Sequence, residues 1–314
     1  MSESLVSVVI PLFNKEKYIS STLKSVIAQD YKNVELILID DGSTDKGYGV
    51  ACRLLEDNQS RFSRVVTIST VNQGQTAARN EGINQSKGEY LAFLDADDVW
   101  VNTKLTRQVA FLTTNHQFDL VLCNYFMLHE SRVRAKAVSL KPVHRKIVLW
   151  LLTTGYGGLI ESSGIIRRSA LISDRGLNPN LEMSGGLDLA FRFNSLKKAG
   201  CVDEYLCGYS VSHDGWHNNK EDLLNSYSHL LASASIYAPY KEELQINLQI
   251  HLSLWKLRNK PSLKSISQFL SICINRPVFV FKYLVLTIWR VFMAQARALI
   301  LRNQVNEVRE LLTK

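Results

Sequence analysis

The sequence predicts an α/β domain built on a mostly parallel sheet, and three observations carry that prediction. Short apolar, β-branched runs alternate with segments of helical periodicity through the N-terminal third. Each of three runs gives way to a polar cluster, at Asn14, at Asp40 to Asp45 and at Asp95 to Asp98. In open α/β sheets ligands bind beyond the carboxyl ends of the strands, so these clusters are expected to meet at one site.

The elements follow in order. Ser7–Leu12 (SVVIPL) is a buried strand broken near Pro11. Lys17–Gln29 places Ile19, Leu23, Val26 and Ile27 on one helical face. Val34–Ile39 (VELILI) is the second strand, stopped by the turn residues Asp40-Asp41-Gly42-Ser43. Val65–Ser69 is the third strand, Thr76–Gln85 a helix, and Tyr90–Leu94 a fourth strand ending at Asp95. From about Asp214 helix formers dominate and no further strand is expected, which divides the chain into 1–215, an α/β domain expected to hold the site, and 216–314, a helical C-terminal region.

Bulk properties narrow the function. A chain of 314 residues with 46% hydrophobic residues supports a sizeable core. The net charge of +8 suits an anionic partner: a phosphorylated substrate, nucleic acid or an acidic membrane. Lys and Arg are spread out and no nucleic-acid motif appears, so no nucleic-acid partner is expected. The five cysteines form no C-x-x-C pair, which argues against a zinc site or disulfide framework and fits a reducing cytosol. The start lacks a basic segment followed by a long apolar run, so no signal peptide is expected and the catalytic part is expected to be cytoplasmic. The G-x-G-x-x-G, G-x-x-x-x-G-K-[ST] and G-x-S-x-G signatures of other nucleotide enzymes and hydrolases are missing.

The polar clusters carry the chemistry. Asp95-Ala96-Asp97-Asp98 offers oxygen ligands to a hard divalent cation, although such a trio also serves as a solvated turn or helix cap. Asp40 to Asp45 offers carboxylates to a nucleobase or ribose, and equally makes an ordinary turn. Asn72 to Gly82 (NQGQTAARNEG) runs a loop into a helix, where Arg79 and the helix N-terminus favour a phosphate; a surface Arg on a capped helix is the plainer reading.

Taken together, SVVIPLFN, DDGSTD, NQGQTAARNEG and FLDADDVW match in order and spacing, and the chain resembles the family 2 glycosyltransferases of the GT-A fold over roughly residues 1–215. The resemblance implies a Rossmann-like, mostly parallel sheet, a nucleotide-diphospho-sugar donor, usually UDP-linked, and Mn²⁺ or Mg²⁺. It assigns donor contacts to Pro11, Phe13, Asn14, Asp40, Asp41, Arg79 and Asp95, and the metal to Asp95 and Asp97, with Asp98 helping to hold the loop. Family members carry Glu-Asp before a helix of the form x-Asp-Leu-x-x-Arg, and the Asp of that pair is the usual base. Here LNPNLEMSGGLDLAFR sets Gly185-Gly186 at that place when Asp188 and Arg192 keep register. Asp188 is the first candidate base for an inverting transfer and Glu182 the second; a helix-opening carboxylate is the alternative for Asp188. YSVSHDGWH resembles the segment that closes family sites, which would bring His213 to the metal or diphosphate, with His217 behind it. The vacant base position also leaves open a nucleotide-sugar-binding protein with weak or lost turnover.

The C-terminal stretch Pro277–Ala294 is apolar but interrupted by Lys282 and Arg290, and Arg276, Arg297, Arg302, Arg309 and Lys314 add to its basic character. Spanning a membrane needs about 20 mostly uncharged residues, so the expectation divides between an interfacial helix on an anionic membrane and an ordinary core helix. Family relatives that build bacterial surface polysaccharides on glycan or polyprenyl-diphosphate-linked acceptors imply a peripheral enzyme on the inner face of the cytoplasmic membrane.

Overall fold

The computed structural model describes residues 3–129, 136–138, 161–173, 176–178, 189, 193, 198–211, 250, 253, 263–278 and 280–281. The first strands are β1 (Val6–Leu12), β2 (Val34–Asp40), β3 (Arg64–Ser69) and β4 (Tyr90–Phe93). Every residue of β1 and β2 is buried. Such strands read as unbroken apolar runs because both of their faces are covered, as parallel strands require. Burial of each large aliphatic side chain stabilises by about 1.5–3 kcal/mol.

Helices α1 (Ile19–Ile27), α2 (Gly47–Asp57) and α3 (Gln75–Gln85) connect these strands. The first helix is shorter at both ends than its periodicity predicts. At its far end Gln29 leaves the helix to donate its amide to the carbonyls of Ser25 (3.0 Å) and Val101 (2.9 Å). α3 packs on β1 through Gly82, where a Cβ would stand 2.2 Å from Val9 Cγ1. Only glycine permits that approach.

Among the described residues the sheet has nine strands, ordered β3-β2-β1-β4-β8-β6-β9-β5, with β7 pairing β6. The later ones are β5 (Val99–Trp100), β6 (Leu120–His129), β7 (Lys136–Val138), β8 (Gly164–Arg167) and β9 (Ala199–Val211). The block β3-β2-β1-β4 is parallel, and β6 and β9 are parallel to each other. β8 runs antiparallel between β4 and β6 and joins the two halves. Helix α4 (Lys104–Thr114) packs on β6 and β9, α5 (Arg168–Ser173) follows β8, and α6 (Leu263–Asn275) lies in the C-terminal region. One apolar cluster runs from Val6 through both halves to Cys207.

One link matters for the site. The indole N–H of Trp100, a fully buried residue of β5, donates to the carbonyl of Ser162 at 2.7 Å. Ser162 belongs to a 3₁₀ turn, Glu161–Ser163, which opens β8. The segment after β4 is thereby fastened to the far half of the sheet.

Among the described residues no helix is long and apolar enough to cross a membrane. Most of the stretch Pro277–Ala294 lies outside the described residues.

Candidate functional site

The ends of β1, β2 and β4 and the loops that follow them surround an open cleft of about 750 Å³. Pro11, Phe13, Asn14, Asp41, Asp95 and Asp97 line it, together with Lys15 and Tyr209. The convergence expected of the polar clusters is therefore seen, and its cause is the parallel order of the strands, which delivers their carboxyl ends to one edge.

The loops are tied to each other before any ligand is considered. Asn14 sits at φ 51°, a left-handed conformation that asparagine tolerates better than most residues. Its Oδ1 accepts from the Thr44 N–H (2.8 Å), the Thr44 hydroxyl (3.2 Å) and the Asp45 N–H (3.3 Å). Its own N–H donates to Ser43 Oγ at 3.0 Å. Gly42, at φ 74°, lets the same loop approach the loop that follows β3: a Cβ there would lie 2.8 Å from Asn72 N.

The adjacent carboxylates Asp40 and Asp41 face different surroundings. Both are buried, but Asp40 accepts from the Ser69 hydroxyl at 2.8 Å and the Ser43 N–H at 3.2 Å. Asp41 borders the cleft and accepts from the N–H groups of Gln73 (2.8 Å) and Gly74 (2.9 Å), at the start of α3. Phe13, 43% exposed at the cleft, presents an aromatic face of the kind on which a base stacks.

Arg79 lies beneath the cleft and is 1% exposed. Its guanidinium donates to Asp95 Oδ1 at 2.5 Å and stands 3.4 Å from Glu161 Oε1. Burial alone would lower its pKa; the charges of Asp95 and Glu161 outweigh that and raise it. Arg79 thus fixes Asp95 from below, aided by the Gln75 amide at 3.2 Å.

Asp98 is fully buried and accepts from the Ser162 hydroxyl at 2.6 Å and the Ser210 N–H at 2.9 Å. Ser162 Oγ in turn accepts from the Asp95 N–H at 3.1 Å. Asp98 therefore clamps the acidic loop between the Glu161–Ser163 turn and β9. Burial and the charges of Asp97 and Asp95 push its carboxyl well above the usual range. Burial also raises Asp97, which Lys15 opposes and Asp95 reinforces. Tyr209 is pushed upward by burial and by the same three aspartates.

Asp97 points into the cleft and meets the Lys15 ammonium at 2.5 Å. Asp95 and Asp97 supply carboxylate oxygens at the end of a buried strand, the donor chemistry a hard divalent ion favours, so the residues present fit Mn²⁺ or Mg²⁺. Among the described residues no group of three or more His, Cys, Asp or Glu gathers as a metal site. Such an ion would take its remaining ligands from water or from a bound diphosphate. Asp188, Glu182, Gly185, Gly186, His213 and His217 lie outside the described residues.

The model for glycosyl transferase family 2 matches residues 7–172. The chain belongs to glycosyl transferase family 2. Within this family it is 41% identical over 116 residues to an uncharacterized glycosyltransferase of Haemophilus influenzae, a match covering 37% of this chain and 45% of that protein. It is 29% identical over 245 residues to an Escherichia coli protein named UDP-Glc:alpha-D-GlcNAc-diphosphoundecaprenol beta-1,3-glucosyltransferase, covering 76% of this chain and 89% of that one. The chain spans less than half the length of the H. influenzae relative and 17% of a Streptococcus pneumoniae glycosyltransferase that it matches at 34% identity. Among solved structures, S. aureus TarS 1–349 in complex with UDP superposes with a TM-score of 0.62 at 19% identity, covering 93% of this chain and 90% of that one. A Pyrobaculum calidifontis mannosyltransferase in complex with GDP-Man and Mn²⁺ gives 0.61 at 17% identity, covering 95% and 87%. At these identities the likeness establishes the GT-A fold.

Lys15, Glu161 and Ser162 were not singled out by the sequence. A lysine in a loop reads as surface, and nothing local to Glu161 or Ser162 announces that β8 will place them under β4.

Proposed function

We propose that this family 2 chain transfers a sugar from a UDP-linked donor to a glycan or polyprenyl-diphosphate-linked acceptor, with Mn²⁺ or Mg²⁺ held by Asp95 and Asp97. The observation that carries the reading is the meeting of Phe13, Asn14, Asp41, Asp95 and Asp97 at one cleft beyond the carboxyl ends of parallel strands. The activity for which the E. coli relative is named, with a UDP-Glc donor and a diphosphoundecaprenol-linked acceptor, supports the uridine and the lipid-linked acceptor.

In this reading Phe13 and Asn14 border the nucleoside, with Asp41 and the buried Asp40 shaping the loop beside it. Arg79 holds Asp95 in position, and Asp98 holds the loop that carries Asp97. When bound, the ion neutralises charge on the departing diphosphate. Inversion requires a base to take the acceptor hydroxyl proton, a role assigned to Asp188, or to Glu182 should Asp188 prove dispensable; His213 is assigned to the metal or diphosphate. Attachment to an anionic inner membrane face is supported by the basic C-terminal sequence and by the exposed Ile266, Leu270 and Ile274 of α6.

The test is calorimetric titration of UDP, GDP and CDP with Mn²⁺ present, followed by transfer from UDP-sugars to a diphospholipid-linked GlcNAc acceptor. UDP is expected to bind tightest and Asp188→Asn to lower transfer at least about 100-fold with donor binding kept. Preferred binding of GDP would overturn the uridine assignment. Donor binding without hydrolysis or transfer, over a panel of donors and acceptors, would favour the binding-only alternative.

A further inference from the structure

Lys15 stands where a cation is wanted. Its ammonium lies 2.5 Å from Asp97 Oδ2, with the Lys15 side chain 27% exposed and that of Asp97 17% exposed. The ring centroid of Tyr18 is 5.8 Å away. The backbone carrying this lysine is pinned on both sides. Asn14 is laced to the loop after β2 as described, and the Glu16 N–H donates to Asp45 Oδ2 at 2.8 Å while Glu16 Oε2 accepts from Lys46 N–H at 3.2 Å. The Lys15 carbonyl accepts from the N–H groups of Tyr18 and Ile19 at 3.0 Å and opens α1. Only the side chain is left to move, and it reaches across the cleft from the β1 loop to the β4 loop.

We propose that Lys15 is a resident counter-cation for Asp97 that a divalent ion must displace, so that metal and nucleotide load together. The proposal rests on the metal and donor reading of the same cleft. An ammonium and a divalent ion repel and compete for one carboxylate oxygen. With Asp95 and Asp97 as its protein ligands in this reading, and no cluster of three or more such ligands among the described residues, the ion alone gains little by evicting Lys15. A bound diphosphate changes both sides of the exchange. It supplies further oxygens to the ion, and it offers the displaced ammonium, still lining the same cleft, a new anionic partner. Because such coupling is reciprocal, Lys15 tightens UDP binding in the presence of metal as much as it makes metal wait for UDP.

The experiment is Mn²⁺ binding to the full-length protein, followed by isothermal titration and by the electron paramagnetic resonance of free Mn²⁺, with and without UDP. For the native protein UDP is expected to tighten Mn²⁺ by about 5- to 150-fold, the usual span of coupling between sites. Lys15→Met keeps the aliphatic stem and removes the charge. It is expected to bind Mn²⁺ alone about 10-fold tighter or more, and to lose coupling to UDP by a like factor. Lys15→Arg is expected to restore the native pattern. Lys24→Met, on the exposed side of α1, controls for the loss of one positive charge. If Lys15→Met binds Mn²⁺ alone no tighter than the native protein or the Lys24→Met control, the proposal falls while the metal site stands. If the native protein binds no Mn²⁺ even with UDP, both the proposal and the metal reading fall.

Discussion

The two ends of the parallel sheet treat carboxylates in opposite ways. At the amino end a single glutamate, Glu35, is wholly buried. Its oxygens accept from Ser7 Oγ (2.6 Å), Lys87 N–H (2.5 Å), Gly88 N–H (3.0 Å) and Arg64 (3.1 Å). Burial alone would raise its pKa, and these donors together lower it. At the carboxyl end Asp40, Asp41, Asp95, Asp97 and Asp98 crowd one region; burial pushes Asp97 and Asp98 up, with the charge of Asp95 adding to Asp97 and those of Asp97 and Asp95 adding to Asp98. A buried carboxylate with every oxygen satisfied is a fastening. Carboxylates that raise one another's pKa store repulsion, which a cation relieves, and such perturbed groups in a cleft mark functional sites. The difference separates a structural carboxylate from the cleft-lining Asp95 and Asp97, while Asp98, buried and bonded to Ser162 and Ser210, is the fastening that carries their loop.

The largest effect expected from breaking this contrast is at Asp97. Asp97→Ala should lower transfer at least about 1,000-fold, since charge stabilisation of the leaving group by a metal is worth several kcal/mol. The fold should survive, because Asp97 contacts Lys15 at the cleft rather than the core. Transfer assays with Mn²⁺, with EDTA and with the variant decide the matter, and full activity in EDTA would remove the metal from the mechanism.

Next in size is Arg79→Met. It leaves Asp95 and Glu161 facing each other without the guanidinium that binds both. Losing one partner of a buried ion pair costs about 3–5 kcal/mol, and the lower part of that range is expected because both carboxylate side chains keep some exposure, 14% for Asp95 and 16% for Glu161. Denaturant unfolding measures it. An added divalent ion should recover part of the loss in this variant more than in the native protein, since it supplies Asp95 with a counter-charge; equal recovery in both would mean that Arg79 acts on packing alone.

How much of this was legible in the sequence follows from the same geometry. β1, β2, β3 and β4 and the helices α1 and α3 appear nearly where periodicity sets them, since short apolar runs bounded by turn residues leave few alternatives. β5 to β9 and the helices α2 and α4 were not anticipated. β9 reads AGCVDEYLCGYSV, where glycines, acids and aromatics mask any strand pattern, and its pairing with β6 is irregular around Asn124. Asp40 and Asp41 could not be ranked from sequence either, because neighbours at a strand end point opposite ways and the register decides which meets the cleft. Lys15 was invisible for a simpler reason: its partner lies 82 positions away, after three intervening strands.

Glu35→Gln tests the amino end. The glutamine still accepts from Lys87 and Gly88, but its amide now meets the Arg64 guanidinium donor to donor. A loss of about 1–3 kcal/mol is expected, the cost of orphaning a buried polar partner, with UDP affinity unchanged because the site is at the other end of the strands. The pH dependence has a definite sign. A carboxylate depressed in the folded state contributes stability that is present above its unfolded pKa, about 4.3, and lost as pH falls through the folded value. The variant should therefore show a shallower loss of stability on acidification. Unfolding midpoints from pH 7 down to pH 3 measure it, and parallel curves would mean that folding leaves the Glu35 pKa unshifted.

The smallest effect is expected at Tyr31, which lies at the same amino end and donates its hydroxyl to the Ser4 carbonyl at 2.5 Å. Burial, with the charge of Glu3, pushes its phenol from 10.0 up to about 12. The unfolded chain ionises near the lower value and the folded chain resists to the higher one. The contribution is therefore complete below about pH 10 and is lost as pH rises toward about 12. Tyr31→Phe should cost about 1 kcal/mol at neutral pH, the worth of one hydrogen bond. Its stability should then fall less than the native protein's over the alkaline range. Cys123, also buried and pushed up to about 11, titrates in the same window, so the comparison is made against a Cys123→Ala background, where the Tyr31 difference must persist. If it vanishes there, the alkaline limb belongs to the thiol and the tyrosine contributes only its hydrogen bond.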